Sequence, residues 1–314
     1  MLDIFLFSAN AILPILLVML IGYWLHHVKI VNDDFIARAN RLCFTVTLPI
    51  QEFVNIYNPE DVQLPSGRLV AFAVVSVIAT VALLWIVIPM IEKDNRKAGS
   101  MIQAIYRGNF LLFGIPLATN LFGEEGVLPT AMLLPIAVPL YNALAVIVLS
   151  RFGGEHKPKP KQVVKSILTN PLILAAAVAL GLSFLKIKLP VFLTKAASSV
   201  GVSATPLALM MLGAQFDVAK FKSTLRQTIF SSAMRLVIVP AIVMTIAVLM
   251  GFRGPELGAI LILFCAPTAV SSFIMARSMG CDGDLAGQLV VSTTFLCGFT
   301  LFLEVALLKG LSFI

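Results

Sequence analysis

The chain has 314 residues, of which 59% are hydrophobic and 12% charged, with a mean hydropathy of +0.98. A soluble domain is about 45–50% apolar and about 25% charged, so an ordinary water-soluble fold is excluded and an all-α integral membrane protein is expected, its helices closing their own backbone hydrogen bonds in lipid. The net charge of +7 is spread along the chain; no basic patch on a soluble fold exists to bind nucleic acid.

A membrane-spanning helix needs about 20 mostly apolar residues. In chain order the candidates are 4–25, 36–56, 69–91, 101–121, 127–150, 167–185, 190–216, 233–252, 255–277 and 284–308, ten spans in all. The first is preceded by Asp3 and followed by His26, His27 and Lys29, so it reads as a retained span and not a signal peptide. The longest polar connection runs from Arg151 to Lys165, contains Pro158 and Pro160, and divides the chain almost in half. Three units follow: residues 1–150, a cytoplasmic linker at 151–166, and residues 167–314. Most of the 23 Lys and Arg lie in connections after odd-numbered spans, among them Lys93, Arg96, Lys97, Arg151, Lys161 and Lys165. Cytoplasmic loops hold that excess, so a multi-pass protein of the cytoplasmic (inner) membrane with both termini outside is predicted.

The two halves repeat. Thr47-Leu48-Pro49 returns as Ala204-Thr205-Pro206, and Gly123-Glu124-Glu125-Gly126 as Gly280-Cys281-Asp282-Gly283, both displaced by 157 residues. Pro116 in span four and Pro267 in span nine are 151 apart. Five spans per half force the second half into the membrane upside down, the inverted-repeat plan of many transporters.

Paired Gly- or Pro-interrupted spans at matching positions point to a binding site. Span four reads Gly108-Asn109-Phe110-Leu111-Leu112-Phe113-Gly114-Ile115-Pro116-Leu117, and span nine reads Cys265-Ala266-Pro267-Thr268-Ala269-Val270-Ser271-Ser272. Pro116 removes a donor and clashes with the preceding turn, and Gly114 weakens that turn further. If both helices unwind and cross, their half-helix N-termini offer free N–H groups and partial positive charge, a seat for a carboxylate. Two ordinary proline kinks are the plainer alternative.

The run Asn109 to Leu117 resembles the Asn-x-x-x-x-Gly-Ile-Pro-Leu stretch of the auxin efflux carrier family of permeases. Val138 to Val146 in span five and Ala266 to Ser272 in span nine support the likeness, which covers the whole chain. The short central loop is similar to bacterial members, including malonate or malate carriers. The resemblance implies a fold like that of the bile-acid sodium symporters. There, spans one, two, six and seven form a scaffold, the others form a moving transport domain, and substrate binds beside crossed helices four and nine.

The candidate substrate-binding residues are Asn109, Gly114, Pro116, Asn142, Pro267, Thr268, Ser271 and Ser272. Asn109 and Asn142 either touch substrate or bond neighbouring helices; Thr268, Ser271 and Ser272 either touch substrate or satisfy carbonyls freed by Pro267. Tyr141 reads as packing. Glu52, Asp217 and Glu304 fall near span ends, and Arg107 and Arg235 near inner ends from which they can snorkel. Span nine lacks the acidic residue and Gln of a bile-acid-type sodium site, and no mid-span acid stands out as a proton carrier.

Cys43, Cys265, Cys281 and Cys297 form no CxxC motif, and the three histidines have no ligand spacing, so neither disulfides nor metal are expected. A nucleotide-binding GxxxxGK[ST] run is absent, and no Asp pair or Ser/His pair at membrane depth suggests an enzyme. The expectation is a secondary transporter of a small organic anion, without cofactors. Its expected partners are that anion, the bilayer and a second copy through the scaffold helices. A solute sensor or channel on the same scaffold is the alternative.

Overall fold

The computed structural model describes residues 2–57, 66–153 and 160–314. In chain order the helices are α1 (Leu2–His27), α2 (Asp33–Leu42), α3 (Leu48–Ile56), α4 (Gly67–Ile91), α5 (Asn95–Tyr106), α6 (Phe110–Phe122), α7 (Leu128–Phe152), α8 (Pro160–Leu168) and α9 (Pro171–Phe184). They continue with α10 (Val191–Val202), α11 (Ala204–Ala214), α12 (Val218–Ser223), α13 (Leu225–Ala233), α14 (Val239–Leu249), α15 (Gly254–Cys265), α16 (Val270–Ser278) and α17 (Gly283–Gly310). Among the described residues the fold is all-helical apart from one isolated bridge. Pro158 of the central connection lies outside the described residues, and α8 occupies the end of that connection.

Short polar side chains start these helices by accepting orphan N–H groups of the first turn. Asn32 accepts from Phe35, Ser66 from Leu69, Asp94 from Arg96, Asn170 from Leu172, and Asp282 from Leu285. Pro49 and Pro240 are each preceded by a wide π-turn, Cys43–Thr47 and Met234–Ile238, that carries the chain from α2 to α3 and from α13 to α14. A proline inside a helix clashes with the carbonyl four residues earlier; the wider turn relieves that clash without ending the helix.

Among the described residues, five helices are long and apolar enough to cross a membrane: Gly67–Ile91, Leu128–Phe152, Val191–Ala214, Leu225–Leu249 and Gly283–Gly310. Shorter apolar helices stand beside them. Large apolar side chains such as Ile86, Met90, Phe192 and Leu249 point outward, as expected where the surrounding solvent is hydrocarbon. Helix α1 meets α11 backbone to backbone: a Cβ on Gly22 would lie 2.0 Å from the Met210 carbonyl oxygen, and one on Gly213 1.9 Å from that of Met19. Small residues allow this approach and the dispersion contacts that hold helices together in lipid.

The interior is formed by the interrupted helices. Residues Ala98 to Tyr106 of α5 and Leu257 to Cys265 of α15 are buried without exception. The predicted span 101–121 is two helices, α5 and α6, and 255–277 is α15 and α16. The break in the first pair is not at Gly114 and Pro116, as the sequence suggested. It falls at Arg107-Gly108-Asn109, and Pro116 lies inside α6. A lone proline kinks a helix; a full break also needs partners for the freed backbone groups, and only residues 107–109 have them.

Candidate functional site

The two interruptions cross each other. Between α5 and α6, Arg107-Gly108-Asn109 runs beside Ala266-Pro267-Thr268-Ala269 between α15 and α16, with an antiparallel bridge joining Gly108 and Thr268. The Asn109 N–H donates to the Pro267 carbonyl at 2.7 Å, and the Ala269 N–H donates to the Arg107 carbonyl at 3.0 Å. These bonds satisfy non-helical backbone away from water. Thr268 secures the crossing: its hydroxyl donates to the Ala104 carbonyl at 2.8 Å, and its N–H donates to Thr293 Oγ1 at 3.0 Å.

The crossing has two electrically distinct sides. Helices α5 and α15 end on one, where unpaired carbonyls make a negative pole. Arg235, fully buried on the π-turn Met234–Ile238, meets them. Its Nε donates to the Ala266 carbonyl at 2.9 Å, its Nη1 to those of Ile105 and Tyr106 at 3.1 Å, and its Nη2 to those of Ala266 at 2.6 Å and Leu263 at 3.3 Å. Gly108 makes room for it, since a Cβ there would sit 1.9 Å from Arg235 Nη2. The expectation that Arg235 snorkels from an inner end is therefore overturned: it neutralises two helix C-termini inside the protein.

On the other side α6 and α16 begin, and their positive poles face a cavity of about 50 Å³. Its walls include Gln51, Glu52, Arg107, Asn109, Tyr141, Thr205 and Ser271. Arg107 is 3% exposed, again not snorkelling; Nη2 donates to Asn142 Oδ1 at 2.5 Å, and Nη1 contacts Met275 Sδ. Glu52 is also buried, at 6% exposure, and not at an interface as its position near a span end suggested. It interacts electrostatically with Arg107 and sits beside Asn142, yet its Oε2 and Asn142 Nδ2 have no hydrogen-bond partner. Gln51 Nε2 donates to Thr205 Oγ1 at 3.0 Å, tying α3 to α11 at the rim. The Tyr141 hydroxyl donates to the Leu263 carbonyl at 3.2 Å.

Of the residues singled out from sequence, Asn109 and Ser271 line the cavity. Pro267 and Thr268 form the crossing, and Asn142 stands one layer behind, holding Arg107. Ser272 is buried with its hydroxyl unpartnered, and it does not line the cavity. Gly114 packs against Thr130, and Pro116 is exposed; neither reaches the site. Sequence reasoning missed Gln51 and Thr205, read Tyr141 as packing and discounted Arg107 and Glu52. A charge inside an apolar run was the available signal, masked by the positive-inside explanation for Arg107 and by uncertain span ends for Glu52. Outside the spans, burial pushes the Cys281 thiol up to about 12, although Arg96 opposes it.

Lipid-facing apolar helices around two crossed, interrupted helices and a small charged cavity define a multi-pass membrane protein, and comparison with known proteins gives its class as a transporter. The chain belongs to the membrane transport protein family, whose model matches residues 7–304. It is 23% identical over 299 residues to an uncharacterized transporter of Methanocaldococcus jannaschii, covering 91% of this chain and 94% of that protein. An uncharacterized transporter of Methanothermobacter thermautotrophicus is likewise 23% identical over 301 residues, covering 93% of this chain and 96% of the relative.

Proposed function

We propose that this transporter is a secondary carrier of a small organic carboxylate, of the malonate or malate kind, working by alternating access across the cytoplasmic membrane. The observation that carries the reading is the cavity where Arg107 and the N-termini of α6 and α16 converge. A guanidinium and helix N-terminal N–H groups suit a carboxylate both in charge and in hydrogen-bond geometry. With room for roughly three to five waters at 10–15 Å³ each, the cavity in this conformation favours a compact acid over an indole-bearing one. Asn109 and Ser271 supply neutral polar contacts, while Asn142 orients Arg107.

The same reading takes the chain as ten spans in two inverted repeats, 1–150 and 167–314, joined by a cytoplasmic linker, with both termini outside. Three features support it. Gly123 and Gly280, 157 residues apart, both adopt positive φ, 71° and 81°. The crossing pairs Gly108 with Thr268 at nearly the same offset. Helix α1 packs on α11 while α9 packs on α3, the mutual exchange that an inverted two-fold produces. Spans one, two, six and seven would be the scaffold and the site of any homodimer contact.

Uptake of radiolabelled malonate, malate and indole-3-acetate into proteoliposomes tests the function. Saturable malonate or malate flux that Arg107→Gln abolishes and Asn109→Ala reduces is the expected result. Binding without flux under any gradient would replace the carrier with a solute sensor; neither binding nor flux would remove the carboxylate.

A further inference from the structure

Glu52 is a carboxylate inside a site proposed for carboxylates. It is 6% exposed, lines the cavity and leaves Oε2 without a partner. Arg107 is its charged neighbour. The other helices packed on α3 bring little competing charge. Helices α9 and α11 have no titratable side chain, α10 has the exposed Lys195, and α7 has Tyr141 on the cavity wall and Arg151 in its last turn. Cys43 lies in the preceding π-turn. The ligand-free site is therefore balanced as one guanidinium against one carboxylate.

A carboxylate cargo upsets that balance. A second carboxylate beside a single guanidinium out of water leaves an uncompensated negative charge, which is unfavourable. Protonating one anion removes it. We propose that Glu52 acts as the counter-ion of Arg107 in the ligand-free site and gives up that place to the cargo by taking one proton, so that one carboxylate group of the cargo and a proton enter the site together. This rests on the carboxylate-carrier reading and adds its coupling. The step balances: Glu52 COO⁻ gains H⁺ from the aqueous phase, no bond to cargo forms, and the cargo anion replaces Glu52 in the field of Arg107. The neutral Glu52 then carries an O–H donor, which the cargo or Asn142 Oδ1 can accept. The proton offsets one of the cargo's negative charges, so a monovalent carboxylate would move without net charge and a dianion such as malonate with one net negative charge.

The test uses full-length protein in lipid nanodiscs. Malonate binding is measured by calorimetry across about pH 5.5 to 8.5 in buffers of differing ionisation enthalpy, for wild type and Glu52→Gln. Above the second ionisation of malonate, wild type is expected to take up close to one proton per anion. Its affinity should fall about tenfold per pH unit once Glu52 is ionised in the ligand-free site. Glu52→Gln, fixed in the neutral form, should bind with no proton uptake attributable to the site and a flat profile wherever the charge of malonate itself is constant. Equal proton uptake and slope in both proteins would overturn the assignment. A second readout needs no cargo: the infrared carbonyl band of a protonated carboxyl should appear in ligand-free Arg107→Gln and vanish in the Arg107→Gln, Glu52→Gln double variant. Absence of that band refutes the Glu52–Arg107 pairing whatever the cargo. Its presence without malonate, malate or indole-3-acetate binding sustains the pairing and sinks the carboxylate reading alone.

Discussion

Arg107 and Arg235 are both buried beside the same crossing, and their partners separate their roles. Arg235 has its guanidinium spent on four backbone carbonyls, those of Ile105, Tyr106, Leu263 and Ala266. Arg107 has Asn142 Oδ1 and a sulfur, with Glu52 lining the same cavity, so part of its hydrogen-bonding capacity is available to a ligand. A charged hydrogen bond contributes about 1.5–3 kcal/mol, so Arg107→Gln should weaken carboxylate binding about 10- to 100-fold, read by calorimetry. Cys281 gives a separate residue-level prediction. It is buried, and its thiol stays protonated through the neutral range because its ionisation lies at about 12. The thiolate is the reactive form. Maleimide should therefore leave Cys281 unlabelled at about pH 8 in the folded protein and label it after unfolding in detergent, as read by mass spectrometry of the peptide; fast labelling of the folded protein would contradict the buried placement.

Among the elements, the crossing is the most constrained structure in the molecule. Gly108 is required by space: its missing side chain is where Arg235 Nη2 lies. Gly108→Ala must displace either the guanidinium or the backbone, and overpacking of a tight interior costs about 1–3 kcal/mol. At Gly181 in α9, by contrast, a Cβ would meet nothing within 4 Å. Gly181→Ala should be neutral or stabilising by up to about 1 kcal/mol through helix propensity. Thermal unfolding in detergent should therefore separate the two substitutions in opposite directions. Arg235→Leu should lower the same midpoint more than Gly108→Ala, because it strips two helix C-termini of their only charged donor among the described contacts. Arg235→Lys should recover part of the loss, since an ammonium reaches fewer carbonyls than the planar fork. A wild-type midpoint for Arg235→Leu would mean that the crossing holds without its cation.

For the molecule as a unit, the decisive measurement is membrane orientation. Single cysteines placed in a variant lacking the native four, one between α1 and α2 and one in the turn at Gly123, should react with an impermeant maleimide from opposite sides. The first is expected inside and the second outside, following the basic residues. Reaction from one side at both positions would break the span count between them. The all-helical, lipid-facing character was legible in composition, and the paired interruptions were legible in Pro267 and in the small residues around it. The first interruption was misplaced onto Gly114 and Pro116 because proline is the visible helix breaker. Arg107-Gly108-Asn109 carries no breaker as strong as proline, and its break exists because Pro267 and Ala269 supply hydrogen-bond partners from about 160 residues away.

Local chemistry along the chain was enough to place this protein in lipid, to mark two spans as interrupted, though only the second at its true break, and to set Asn142 against protein or a cavity. Apolar runs of sufficient length, proline geometry and the cost of an unpaired amide dictate those three properties in turn. Which charges lie at the interface and which lie inside depended on tertiary contacts alone. Arg107, Arg235 and Glu52 have the same local sequence character as snorkelling residues at span ends. They are buried because crossing helices bring opposed poles and carbonyls to them, and a charge keeps its place inside a protein only where such partners meet it.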